Sequence, residues 1–249
     1  MRELPNVLIL GNNSLAAALR KLCSDSGRVQ LSDGSRLERE MDVIVETTNA
    51  DLAQKRANLA SAETYAAGGD TLILSTVLGI SATESASWLQ DSTRLVGFSA
   101  FATIEKSELV EIAPALQTEE SKLRQAARFF EALGKQTETV QDEVGLVYAR
   151  ILSLIINEAA FGLMEGIASP QDIDTAMRQG TNYPMGPLEW ADTVGVDDIV
   201  AVLNGLHREI GEDRYRPAPL LRKLLYAKRL GLQSGRGFYT YPEERKFPS

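Results

Sequence analysis

The stretch Asn6-Val7-Leu8-Ile9-Leu10-Gly11-Asn12-Asn13-Ser14-Leu15-Ala16 decides how this chain is read. A near-continuous apolar run, Val7 to Leu10 after Asn6, closed by a glycine, suits a strand buried on both faces, as in a parallel sheet. Asn12, Asn13 and Ser14 can cap a helix, and the apolar run that follows predicts one from Leu15 to about Ser24. A strand, a glycine turn and a helix at the very start of a chain form the first half of a βαβ unit.

Working outward, the same alternation continues. Short strands are predicted over 29–31, 42–45, 71–75, 94–98 and 108–112. Helices are predicted from Asp51 to Ala67, stopping at Gly68-Gly69, and from Thr118 to Leu133, with Gly134 just past the end. Strands that alternate with helices imply a doubly wound α/β domain, because parallel strands need crossover connections. Near Gln141 the alternation stops and the pattern becomes helical. Leu146 to Gly166 is apolar nearly all round, which predicts a buried helix. Ser169-Pro170 opens another, with serine as the cap and proline in the first turn. Tyr183-Pro184-Met185-Gly186-Pro187 reads as a rigid link, followed by helices over 187–193, 196–209 and 219–228. The expected organisation is an α/β domain over residues 1–140 and an all-α domain over 141–249.

Composition narrows the partners. A net charge of -8 argues against nucleic acid and against anionic membranes, both of which attract basic surfaces. The single cysteine, Cys23, excludes an internal disulfide and fits a reducing compartment. The first residues lack the long apolar core of a secretory signal, and no run approaches a membrane span, so a cytoplasmic protein is expected.

The first turn also carries a chemical reading. A dinucleotide's pyrophosphate sits on a helix N-terminus, reached through the glycines of G-x-G-x-x-G. Gly11 matches the first glycine, Asn13 replaces the second and Ala16 the third. Asp33 lies 33 − 11 = 22 residues on, where an acid would hold the adenosine ribose. The same residues also suit an ordinary α/β turn with a solvated aspartate.

The C-terminal half adds a more specific signal. Ala168-Ser169-Pro170-Gln171-Asp172-Ile173-Asp174, Tyr183-Pro184-Met185-Gly186-Pro187-Leu188-Glu189, Val194-Gly195-Val196-Asp197 and Ser234-Gly235-Arg236-Gly237-Phe238-Tyr239-Thr240-Tyr241 come in order. This stretch, Gly145 to Tyr241, resembles the 3-hydroxyacyl-CoA dehydrogenase family. The resemblance implies a Rossmann-type NAD-binding domain, a helical domain that mediates homodimerisation, and NAD-dependent interconversion of a 3-hydroxyacyl-CoA and a 3-oxoacyl-CoA in fatty acid or related acyl-CoA metabolism. It implies cofactor contacts at Gly11, Asp33, Glu46 and Lys55.

The resemblance further implies a catalytic dyad, in which a histidine takes the hydroxyl proton and a glutamate twelve residues later holds it. Glu111, in Leu109-Val110-Glu111, falls on the glutamate, and 111 − 12 = 99 is Ser99. The family's helix-opening asparagine is Ala149 here, and the lone His207 falls on a helix away from the dyad positions. Between Asp33 and Glu46 there are only 46 − 33 = 13 residues, too few for the helical excursion that forms part of the family's CoA surface.

Three functions remain open on these residues. One is the NAD-dependent dehydrogenase of an acyl-CoA-type small molecule, with Ser99 and Glu111 at the catalytic positions. The second is a non-catalytic homologue that binds nucleotide or acyl-CoA, or serves as a partner subunit. The third, a β-hydroxyacid dehydrogenase with a lysine on the interdomain helix, ranks last because Leu146 to Gly166 contains no lysine.

Overall fold

The computed structural model describes residues 4–34, 41–66 and 70–242. The expected helix stop at Gly68-Gly69, the first three residues, and positions 35–40 of the short link from Asp33 lie outside them. The chain forms two compact units, residues 1–147 and 148–249.

The first unit is built on a seven-stranded sheet. Its strands are β1 (Asn6–Leu10), β2 (Gln30–Ser32), β3 (Val43–Glu46), β4 (Leu72–Thr76), β5 (Leu95–Ser99), β6 (Leu109–Pro114) and β7 (Gln136–Thr139), in the order β2-β1-β3-β4-β5-β6-β7. Helices α1 (Ser14–Ser26), α2 (Leu52–Tyr65), α3 (Ala82–Ala86) and α4 (Glu120–Ala132) connect them. Because strand side chains alternate between faces, the odd residues Val7, Ile9, Val43 and Val45 pack with Leu15, Leu19 and Cys23 of α1 and with Phe129 and Phe130 of α4. The even residues Leu8 and Ile44, with Ile73 of β4, pack with Leu59 and Ala62 of α2 and Ala82 and Ala86 of α3. Both faces are therefore apolar, which is why these strands read as unbroken hydrophobic runs. This is a Rossmann-like doubly wound sheet, as the alternation predicts.

Two features depart from that prediction. Between β5 and β6 the chain makes only a short 3-10 turn over Ile104–Lys106, too little for a crossover, so β6 runs antiparallel to β5. The strand β7, Gln-Thr-Glu-Thr, pairs in parallel with β6 at the sheet edge. Its largely exposed polar residues carry no hydrophobic signal to predict it.

The second unit is helical: α5 (Tyr148–Glu165), α6 (Pro170–Thr181), α7 (Pro187–Val194), α8 (Val196–Ile210) and α9 (Pro219–Tyr226). Ser169 caps α6 through the Asp172 amide, with Pro170 in the first turn, as its sequence predicts. Two buried carboxylates organise the unit. Asp174 accepts from the backbone amides of Leu188 and Glu189 at 2.8 and 2.9 Å and from the Tyr239 hydroxyl at 2.6 Å, tying α6 to the start of α7 and to the C-terminal segment. Asp192 accepts from the amides of Phe238 and Tyr239, both at 2.9 Å, and from the Tyr241 hydroxyl at 3.1 Å. A Cβ on Gly237 would sit 1.9 Å from Asp192 Oδ1, so only glycine lets the segment close on the carboxylate. Burial pushes the Asp192 carboxyl above the usual range, against those hydrogen bonds.

The expectation of an all-round buried α5 is corrected. Leu152, Ile156 and Ala160 face the core, but Ile151 is 54% exposed and Met164 45%. Among the described residues, Tyr148 and Ile151, one turn apart at the start of the helix, leave apolar surface exposed. No helix among the described residues is long and apolar enough to cross a membrane.

Candidate functional site

In an open α/β sheet, ligands bind outside the C-terminal ends of the strands, where the strand order reverses. Here that switch point lies between β1 and β3, whose partners Leu10 and Glu46 face each other in register. The turn after β1 and the loop after β3 meet there.

Gly11 takes φ +122°, a backbone state that other residues rarely adopt. A Cβ at Gly11 would lie 2.1 Å from Thr47 Oγ1, so the turn also needs a glycine for close approach. Thr47 closes on this turn through its amide and its hydroxyl, which both donate to the Leu10 carbonyl at 3.1 and 3.0 Å. Asn13 is the N-cap of α1, its Oδ1 accepting from the Ala16 amide at 2.9 Å. The Nδ2 of the Asn13 side chain donates to the Thr47 carbonyl at 2.6 Å. Arg20, one and a half turns into α1, donates to the carbonyls of Ile9 and Gly11 at 3.0 Å each. Asp33 lies exposed just beyond β2.

Glu46 and Lys55 form a separate cluster beneath the β3 loop. Lys55 Nζ lies 2.5 Å from Glu46 Oε2, and both side chains are completely buried. The ammonium also donates to the Thr48 carbonyl at 3.0 Å and the Thr76 carbonyl at 2.8 Å. Glu46 Oε1 accepts from the Thr48 amide at 2.7 Å and from Asn58, and Oε2 from the Ser75 hydroxyl. Burial lowers the Lys55 pKa while Glu46 opposes that shift. The two residues thus bind the ends of β3 and β4 together, and neither side chain opens to solvent.

Ser99 and Glu111 are direct register partners across the antiparallel β5–β6 pair. The buried Ser99 hydroxyl reaches the Gly145 carbonyl at 3.4 Å, and Glu111 Oε2 accepts from the Val147 amide at 3.2 Å. The structure brings these two together, and likewise Gly11 with Asn13, while Glu46 and Lys55 pair under the loop. Spacing flags Asn13 only as a lost glycine. Its bridge to Thr47 has no sequence signal, because Thr47 is a single hydroxyl after a strand.

For a dinucleotide the site is half suited. The exposed Asp33 and the Gly11 turn fit an adenosine moiety. At the helix N-terminus the Ala16 amide, one of those a pyrophosphate would use, is already taken by the Asn13 side chain.

Residues 18–143 match the family model described as 3-hydroxyacyl-CoA dehydrogenase, NAD binding domain, and residues 145–241 match its C-terminal domain. A probable 3-hydroxybutyryl-CoA dehydrogenase of Bacillus subtilis is 33% identical over 217 residues, covering 87% of this chain and 75% of that one. The solved structure of (S)-3-hydroxybutyryl-CoA dehydrogenase from Ralstonia eutropha superposes with a TM-score of 0.76 at 28% identity, over 96% of this chain and 100% of the other. That of M. tuberculosis FadB2 gives a TM-score of 0.84 at 23% identity over 97% and 100%, a likeness of fold.

Proposed function

Because the chain belongs to the 3-hydroxyacyl-CoA dehydrogenase family, we propose that it is an NAD(H)-linked homologue that recognises an acyl-CoA-type small molecule and lacks the family's imidazole base. One observation carries this reading: the residue facing Glu111 in register is Ser99. A serine hydroxyl is far too weakly basic to take a substrate proton near neutral pH. NAD, when bound, supplies the hydride acceptor for a 3-hydroxyacyl substrate. Of the two proposed catalytic positions, Glu111 alone carries an ionisable group, and one of its oxygens is held by the Val147 amide. Losing a general base costs about 10²–10⁴-fold in rate, so interconversion of a 3-hydroxyacyl-CoA and a 3-oxoacyl-CoA is expected to be slow. The same observation favours the second reading, a non-catalytic nucleotide- or acyl-CoA-binding subunit.

We assign Gly11 and Asp33 to direct cofactor contact. Glu46 and Lys55 serve it indirectly, by holding the loop from Thr47 onward. The exposed apolar pair Tyr148 and Ile151, one turn apart on α5, supports a homodimer through the helical unit, since both gain by burial against a second copy. A cytoplasmic role in acyl-CoA metabolism follows as the expected setting.

The experiment compares NADH oxidation with acetoacetyl-CoA by the native chain and by Ser99→His. Native turnover is expected to be low, and the variant at least about tenfold faster if Glu111 orients the new imidazole. Native turnover equal to that of an ordinary dehydrogenase overturns the reading.

A further inference from the structure

The site's own polar groups meet where a phosphate should lie. In a βαβ nucleotide turn, the second glycine leaves room above the backbone so that pyrophosphate oxygens reach the first amides of the helix. At that position this chain places Asn13, and its carboxamide is doubly engaged. The Oδ1 atom accepts from Ala16 N at 2.9 Å, as a phosphate oxygen would. The Nδ2 atom crosses the switch-point crevice to the Thr47 carbonyl at 2.6 Å. Thr47 continues the β1–β3 ladder through its amide and adds its hydroxyl to the same Leu10 carbonyl, so the loop that Asn13 reaches is fixed. Arg20 is spent on the carbonyls of Ile9 and Gly11.

We infer that Asn13 is an internal occupant of the pyrophosphate position, and that it sets which ligands the turn takes. A nucleoside can bind against Asp33 without disturbing it. A ligand with a pyrophosphate has to displace the carboxamide from both Ala16 and Thr47. The residue therefore weakens dinucleotides selectively against the adenosine portion they share. This inference rests on the nucleotide-binding reading above.

The test measures binding of adenosine, ADP-ribose and NADH to the native chain, Asn13→Gly and Asn13→Asp. Calorimetry serves for the two pyrophosphate ligands and ligand-observed NMR for adenosine. Glycine removes the occupant and is itself a favoured helix cap, so the fold is retained. The Asn13→Gly variant is expected to bind ADP-ribose and NADH about tenfold more tightly, the worth of one recovered charge-assisted hydrogen bond. Adenosine binding should not change. Asn13→Asp keeps an acceptor for Ala16 but adds a negative charge, so it should weaken ADP-ribose further and spare adenosine. An unchanged ADP-ribose affinity in Asn13→Gly, or native-like affinity in Asn13→Asp, overturns the inference while leaving nucleotide binding intact. Failure of all three ligands to bind any of the proteins removes the nucleotide-binding reading, and the inference with it.

Discussion

Glu46 and Lys55 meet at 2.5 Å with both side chains completely buried, and the ammonium lies within hydrogen-bond distance of oxygens of Glu46, Thr48 and Thr76. A buried pair of this kind adds little net stability, because desolvation offsets the attraction, but it is costly to break from one side. Lys55→Met should therefore destabilise the first unit by about 3–5 kcal/mol, leaving a buried carboxylate without its counter-charge. Glu46→Gln in the same chain should recover a large part of that loss. Urea unfolding of the single and double variants measures it.

Gly11→Ala faces two penalties: the positive φ and contact with the Thr47 hydroxyl at 2.1 Å. The backbone state alone costs on the order of 1–3 kcal/mol for a residue with a Cβ. Adding Thr47→Ala should relieve the contact and leave the backbone part. Thermal unfolding of the two variants separates them, and full recovery in the double variant would mean that φ plays no part.

Cys23 is fully buried, and burial pushes its thiol up to about 12. An unfolded thiol titrates near 8.5. Between about pH 8.5 and 12 the unfolded chain has released this proton and the folded chain retains it. Stability from this group is thus complete below about pH 8.5 and declines above it, by about 1.4 kcal/mol per pH unit. Cys23→Ala should flatten the alkaline slope of a denaturation series, and the native thiol should resist alkylation at pH 8 until the chain unfolds.

Asp192→Asn keeps the shape of the side chain but turns one acceptor oxygen into a donor against amides that already donate. At least one of the Phe238 and Tyr239 amides is then left buried without a partner. The expected loss is about 1–3 kcal/mol, read by urea unfolding. Gly237→Ala should be more damaging, since its Cβ has no room beside the carboxylate.

The parts of the molecule that the sequence made legible are those where one residue type has one physical use. The run Val7-Leu8-Ile9-Leu10 had to be a two-faced strand, Gly11 a turn, and Ser169-Pro170 a helix start. What stayed hidden depended on partners distant in the chain. The polar β7 forms because β6 offers it an edge, and β6 reverses because the link from β5 is too short to cross over. The apolar circumference of α5 suggested burial on all sides, yet nothing in its own residues says how many neighbours the fold provides. Glu46 and Lys55 could be matched to a site by position, but not to a closed pair under the loop. Asn13 could be seen as a missing glycine, while the Thr47 carbonyl that it reaches lies 34 residues away.

The carboxylate hubs of the helical unit have a consequence for ancestry. The residues by which the chain is recognised, around Asp174, Gly186, Asp192 and Gly237, are there to hold backbone amides and admit tight passages of chain. Selection for folding alone would maintain them after turnover had ceased to matter. In the helical unit, then, the residues that mark kinship are ones that hold the chain together, so they would report descent in any relative that keeps this fold, whatever it turns over.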